Sequence, residues 1–166
     1  MNRSILVCGA TGFVGTHLMK RLADSGHRVV GATRRPDAAR ARHPDWAWTF
    51  ADVEDKPSLQ RAMEGHDTVV YLVHQMREDG NRLLRREQAS AYRVRDAAER
   101  AGIQRVVYLG GPEPADTPST HLKARLETGR ILRDGSMSTI ELRAGMIIGA
   151  ESESWLIVRD LSLRLP

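Results

Sequence analysis

The chain has 166 residues, 41% hydrophobic and 28% charged, which is enough to bury the core of one domain and leaves little room for a second. A single cysteine, Cys8, excludes an internal disulfide and a cysteine-built metal cluster, and no metal site is expected. The net charge is +4, but basic and acidic residues interleave, as in Arg93, Arg95, Asp96, Glu99 and Arg100, and aromatics are only 5% of the chain. That pattern reads as solvated helix faces rather than a nucleic-acid surface. With no apolar run of membrane-spanning length and no secretory signal at MNRSILVCGA, a cytoplasmic protein without a membrane partner is expected.

In chain order, Ser4 to Cys8 is a short apolar run of strand length, followed by a glycine-rich turn and a helical pattern that Gly26 ends. Arg28 to Thr33 and Trp46 to Ala51 read as the second and third strands, with a short helix between them. A helix capped by Asp55, with Pro57 in its first turn, runs to Gly65. Thr68 to Val73 is continuously apolar, as a strand buried on both faces should be. A long polar helix from Asn81 to Ala101, a fifth strand from Gln104 to Leu109, a helix from Ser119 to Arg133, a sixth strand from Ser138 to Arg143 and a last amphipathic segment from Ser152 to Leu165 complete the series. This alternation predicts an α/β chain with a Rossmann-type, doubly wound parallel sheet of about six strands, forming one domain over residues 1–166. Trp46, Trp48 and Trp155 are expected to pack in a core or interface.

The strongest motif is Gly9-Ala10-Thr11-Gly12-Phe13-Val14-Gly15, set between the first strand and the first helix. Gly9 permits the tight turn, Gly12 lets the backbone approach a pyrophosphate, and Gly15 lets the helix pack close to the sheet. Backbone N–H groups and the helix dipole then face the anion. The second strand ends Thr33-Arg34-Arg35-Pro36, with no acid before Asp37. Two adjacent guanidiniums suit a ribose 2′-phosphate, so NADP is favoured over NAD.

Taken together, GATGFVG, Ala51-Asp52-Val53, YLVHQM at 71–76, VVYLGG at 106–111 and ELRAGMIIG at 141–149 resemble the atypical, extended-type short-chain dehydrogenase/reductases, within them the NmrA-like and YbjT-like NAD(P)-binding proteins. The resemblance runs through the whole chain in one order. It implies that Asp52 and Val53 hold the adenine edge, although a helix cap or loop acid is the competing reading of Asp52. It further implies that Leu72, Val73 and His74 line the ribose and nicotinamide path, and that Arg143, Ala144 and Gly145 flank the nicotinamide.

The same family usually carries Tyr-x-x-x-Lys on the helix after the fifth strand and a Ser beyond that strand. Here those places read His121-Leu-Lys-Ala-Arg125 and Leu109-Gly110-Gly111. His121 and Arg125 share a helix face and could imitate the pair, imidazole as proton donor and guanidinium as ribose-binding cation; a structural His121 is the alternative. Two functions follow from these readings. One is an NADP-dependent oxidoreductase acting on a small carbonyl or sugar-like substrate; the other is a non-catalytic, redox-sensing regulator of the NmrA-like type. Homo-oligomers are compatible with both. Extended relatives continue beyond the sixth strand into a substrate lobe, so a chain ending at Pro166 is expected to hold the cofactor domain and lack that lobe.

Overall fold

The computed structural model describes residues 2–74, 80–150 and 152–165. The elements are β1 (Ser4–Cys8), α1 (Phe13–Asp24), β2 (Arg28–Thr33), α2 (Pro36–Arg42), β3 (Ala47–Phe50), α3 (Lys56–Met63), β4 (Thr68–Tyr71), α4 (Gly80–Arg100), β5 (Arg105–Gly110), α5 (Thr120–Arg133), β6 (Ser138–Arg143) and α6 (Glu153–Arg164). The six strands form one sheet in the order β3-β2-β1-β4-β5-β6, with every pair parallel. The predicted doubly wound Rossmann sheet is thus the observed fold. The strand order reverses between β1 and β4, β2 and β3 being added on one side and β4 to β6 on the other, and the crevice at the carboxyl ends of those strands is the expected ligand position of such a sheet.

The period-two alternation of β1 divides the core. Leu6 and Cys8 point into one layer with Val69, Tyr71, Val94, Val106 and Leu132, against α3, α4 and α5. Ile5 and Val7 point into the other with Val70, Met19 and Ala39, against α1 and α2. β4 is buried at all its positions, which is why its sequence reads as continuously apolar rather than alternating.

Most element boundaries follow the sequence within a residue or two, and the departures have physical causes. β4 stops at Tyr71 rather than Val73: Leu72 N–H donates to Cys8 O at 2.9 Å, and the chain then leaves the sheet toward the crevice. Asp55 stands at the N-cap of α3, but its side chain makes no capping bond; Ser58 Oγ instead donates to Asp55 O at 2.8 Å and closes the turn. Ser119 and Ser152 do cap, accepting from Leu122 N–H and Trp155 N–H. Trp48 is core, its indole N–H donating to His43 O at 3.2 Å while its ring covers the space that a side chain at Gly31 would need. Gln75 and Met76 of the YLVHQM motif lie outside the described residues.

Candidate functional site

β1 delivers the chain into a turn that only glycine adopts without strain: Gly9 has φ +89°, and a side chain there would stand 3.1 Å from both C and Cβ of Leu72. Gly12 N–H donates to Gly9 O at 3.1 Å, and Gly12 itself accepts from Thr16 N–H at 2.9 Å as α1 begins. No side chain caps that end, so the first N–H groups of α1 carry the orphan donors and positive dipole end that bind anions. Phe13 is partly buried; its ring packs on the His17 ring at a centroid distance of 4.7 Å and against Gly149. Val14 is partly buried, and Gly15 is buried in α1 against the turn.

In front of this turn lies a cavity of about 500 Å³, within the range of ~300–1,000 Å³ typical of ligand clefts. Its floor is Gly9 and Thr11; one wall is Ala32 to Arg35 at and just beyond the end of β2, a second is Ala51 to Glu54 after β3, and Val73 and His74 close the β4 side. The sequence-predicted residues Gly9, Thr11, Arg34, Arg35, Asp52, Val53, Val73 and His74 are therefore brought around one space. Arg34 and Arg35 are exposed at the rim, and Arg35 N–H donates to Thr33 Oγ1 at 3.2 Å. Asp52 Oδ1 accepts from Glu54 N–H at 3.0 Å, a local turn that fixes the loop after β3.

Two charged lining residues escaped the sequence reading, Glu54 and Arg86. Glu54 follows the Asp52-Val53 pair directly and could have been weighed as a third member. Arg86 gives no local signal, because it comes from α4 and meets Glu54 across the fold.

At the nicotinamide end expected from the resemblance, the arrangement differs from a His121–Arg125 pair. His121 is exposed in the first turn of α5, whereas Arg125 reaches inward. Arg125 Nη2 donates to Leu109 O at 3.3 Å and lies 3.2 Å from His74 Nε2, and that imidazole nitrogen is also 3.1 Å from Leu109 O. Burial, reinforced by the Arg125 charge and opposed by the Leu109 carbonyl, lowers the His74 pKa to about 4. His74 is consequently neutral at physiological pH. Arg143 is held by Glu113 and Glu141 and, like Leu72, Ala144 and Gly145, stands outside the cavity lining; Ala144 N–H donates to Gly110 O at 3.2 Å.

None of the three tyrosines lines the cavity. Tyr71 and Tyr108 are buried with ring centroids 6.0 Å apart, Tyr108 OH donates to Arg125 O at 3.0 Å, and burial pushes that phenol up to about 12. Tyr92 is exposed on α4. Cys8 is buried and its thiol is pushed up to about 12, so it is no nucleophile. Among the described residues no group of His, Cys, Asp or Glu could hold a metal ion, and no helix is long and apolar enough to cross a membrane.

Residues 9–164 match the family described as NAD(P)H-binding. Among curated proteins, the chain is 32% identical over 113 residues to the 3 beta-hydroxysteroid dehydrogenase/Delta 5-->4-isomerase of Mycobacterium tuberculosis, covering 63% of this chain and 30% of that protein. It is 29% identical over 112 residues to cinnamoyl-CoA reductase 1 of Petunia hybrida, covering 63% of this chain and 34% of that protein. Among solved structures, Citrobacter sp. triphenylmethane reductase complexed with NADP(H) superposes with a TM-score of 0.73 at 21% identity, over 86% of this chain and 50% of that one. The Bordetella bronchiseptica enzyme WbmH in complex with NAD+ gives 0.77 at 16% identity, over 98% of this chain and 63% of that one. The chain thus spans about a third of the curated relatives' length and half or somewhat more of these structures.

Proposed function

The chain belongs to the NAD(P)H-binding family, and from that premise we propose that it binds NADP(H) in the crevice between β1, β2 and β4 and serves an oxidoreductase acting on a small carbonyl or sugar-like substrate. The observation that carries the proposal is one continuous cavity joining the Gly9–Thr11 turn to Arg34 and Arg35 on one side and to His74 on the other. The N–H groups opening α1 would hold the pyrophosphate, the two guanidiniums the ribose 2′-phosphate, and Asp52 and Val53 the adenine edge. When bound, the nicotinamide supplies or accepts the hydride. Neutral His74 and the Arg125 charge behind it would set the polarity of the far end. Residues 1–166 act in this reading as one cofactor domain.

A second reading, a non-catalytic NAD(P)-binding regulator, is favoured by one arrangement. Tyr71 and Tyr108 are spent inside the core, and His74 is a neutral imidazole rather than an imidazolium acid at neutral pH. Titrating the protein with NADPH and NADH by nicotinamide fluorescence, then screening carbonyl compounds for loss of nicotinamide absorbance, separates the two. NADPH is expected to bind more tightly. Losing both guanidiniums in Arg34→Ala/Arg35→Ala removes charge-assisted bonds worth ~2 kcal/mol, about 30-fold in NADPH affinity. Equal affinities for the two nucleotides, indifferent to that double substitution, would refute the NADP assignment; tight binding with no turnover on any carbonyl compound would favour the regulator.

A further inference from the structure

The cavity wall formed by Ala51 to Glu54 carries, beyond Asp52, a second acid opposite the two arginines that favour NADP. Glu54 lies on the same cavity as Arg34 and Arg35, and a carboxylate close to a ribose ordinarily favours the cofactor that lacks the 2′-phosphate. Glu54 is, however, already engaged. Its Oε1 accepts from Arg86 Nε at 3.1 Å and again from Arg86 Nη2, a two-point contact between the loop after β3 and the second turn of α4. Both side chains stay partly open to the cavity mouth, at 37% exposure for Arg86 and 49% for Glu54. The hydrogen bond from Arg86, then the charges of Arg86, Arg93 and Arg34, hold the Glu54 carboxyl below its usual range.

We propose that Glu54 is an acid set against the phosphate-reading end of the cavity and that Arg86 masks it, so that this ion pair sets the discrimination between NADPH and NADH. The inference rests on the dinucleotide reading above and concerns only the choice between its two forms. A 2′-phosphate brings a charge of about −1.5 to −2, and an unmasked carboxylate beside it is repulsive. Without Arg86, the next cation acting on Glu54 from the cavity wall is Arg34, which the carboxylate would draw away from the phosphate. The released carboxylate would also be free to accept from a ribose hydroxyl, which favours NADH. Arg86 is in this account a positioning residue, acting through Glu54.

Affinities for NADPH and NADH, measured on the wild type, Arg86→Ala, Arg86→Lys, Glu54→Gln and the double variant Glu54→Gln/Arg86→Ala, test this. Arg86→Ala is expected to lower the NADPH-to-NADH affinity ratio about tenfold, the effect of roughly one unscreened like-charge contact. Arg86→Lys, which keeps a cation, and the double variant, which removes the acid, should both return the ratio to near the wild-type value. Rescue by the double variant is the signature that a merely structural arginine would not give. A double variant as poor toward NADPH as Arg86→Ala would overturn the proposal, because Arg86 would then act on the phosphate itself. So would a ratio unmoved by Arg86→Ala in a protein that binds both nucleotides. Failure of the wild type to bind either nucleotide would instead remove the dinucleotide reading on which the proposal stands.

Discussion

Replacing Gly15 with alanine is expected to destabilise the fold by about 3 kcal/mol and to abolish nucleotide binding at concentrations that saturate the wild type. Gly15 sits within α1, where alanine is ordinarily the better helix former by ~1 kcal/mol, so propensity alone predicts the opposite sign. Packing decides. A side-chain carbon at Gly15 would run into Gly9 O and stand 2.7 Å from Ala10 Cα and 2.9 Å from Ala10 C. These are backbone atoms of the turn, and they cannot swing aside as a flexible side chain can. Relief requires α1 to move off β1 or the turn to open, and either change carries the orphan N–H groups away from the cavity. Gly12 supplies the contrast: a carbon there would meet only Gly9 O, at 3.4 Å, an ordinary contact. Gly12→Ala should therefore melt close to the wild type while weakening NADPH, because in the proposed binding mode its methyl group would stand in the approach to the pyrophosphate. Urea denaturation together with nucleotide titration on both variants reads the two effects separately. A Gly15→Ala protein as stable as the wild type would refute the close-packing account.

The division between these glycines shows what the sequence disclosed and what it withheld. Spacing alone placed Gly9, Gly12 and Gly15 at a strand-to-helix turn, because the turn is local; Gly9 answers a positive φ and Gly15 a close approach of backbone. The parallel sheet was equally legible, since hydrophobic run lengths and helix stops are local quantities; β1, β2 and β6 have the predicted bounds. Side-chain direction was not. His121 and Arg125 share α5, and their spacing suggested a pair, yet Arg125 turns toward His74 and Leu109, where a buried carbonyl and an imidazole offer it partners. Its Nε still lacks a partner among the described residues. Glu54 and Arg86 were missed for a related reason: their contact joins a loop to a distant helix, and no periodicity encodes it. What the sequence could say of the site was the glycine turn and the residues at the strand ends, Arg34, Arg35, Asp52, Val53, Val73 and His74 among them. The contacts of Arg86 with Glu54 and of Arg125 with His74 depend on tertiary approach.

Acidification should weaken the folded state between pH 6.5 and about 4, and His74 should account for most of that loss. An imidazole whose folded pKa lies below its unfolded value binds fewer protons in the native state across this window, so stability rises with pH there and falls as the solution is acidified. Going from 6.5 in the unfolded chain to about 4 in the folded one corresponds to roughly 3 kcal/mol at the acid end. The structural cause is specific. His74 Nδ1 is buried with no partner among the described residues, so an imidazolium would leave an N–H there without an acceptor, and its charge would face the Arg125 guanidinium. His66 is shifted in the same direction, chiefly by burial and then by Arg28, and adds to the slope. Depressed carboxylates such as Asp67 and Asp96 act later, since their stabilisation is lost only as the pH falls below the ordinary carboxylate range. Urea midpoints measured from pH 7 to 4 on the wild type, His74→Gln and His66→Gln apportion the effect. The His74→Gln protein should show a clearly flatter profile, and Arg125→Gln a smaller flattening, because removing the guanidinium raises the His74 pKa toward its ordinary value without relieving its burial. A slope unchanged in His74→Gln but absent in His66→Gln would move the acid sensitivity to the far end of the sheet, where His66 Nδ1 lies 3.0 Å from Ser4 Oγ, and would leave His74 free to carry a proton in the crevice.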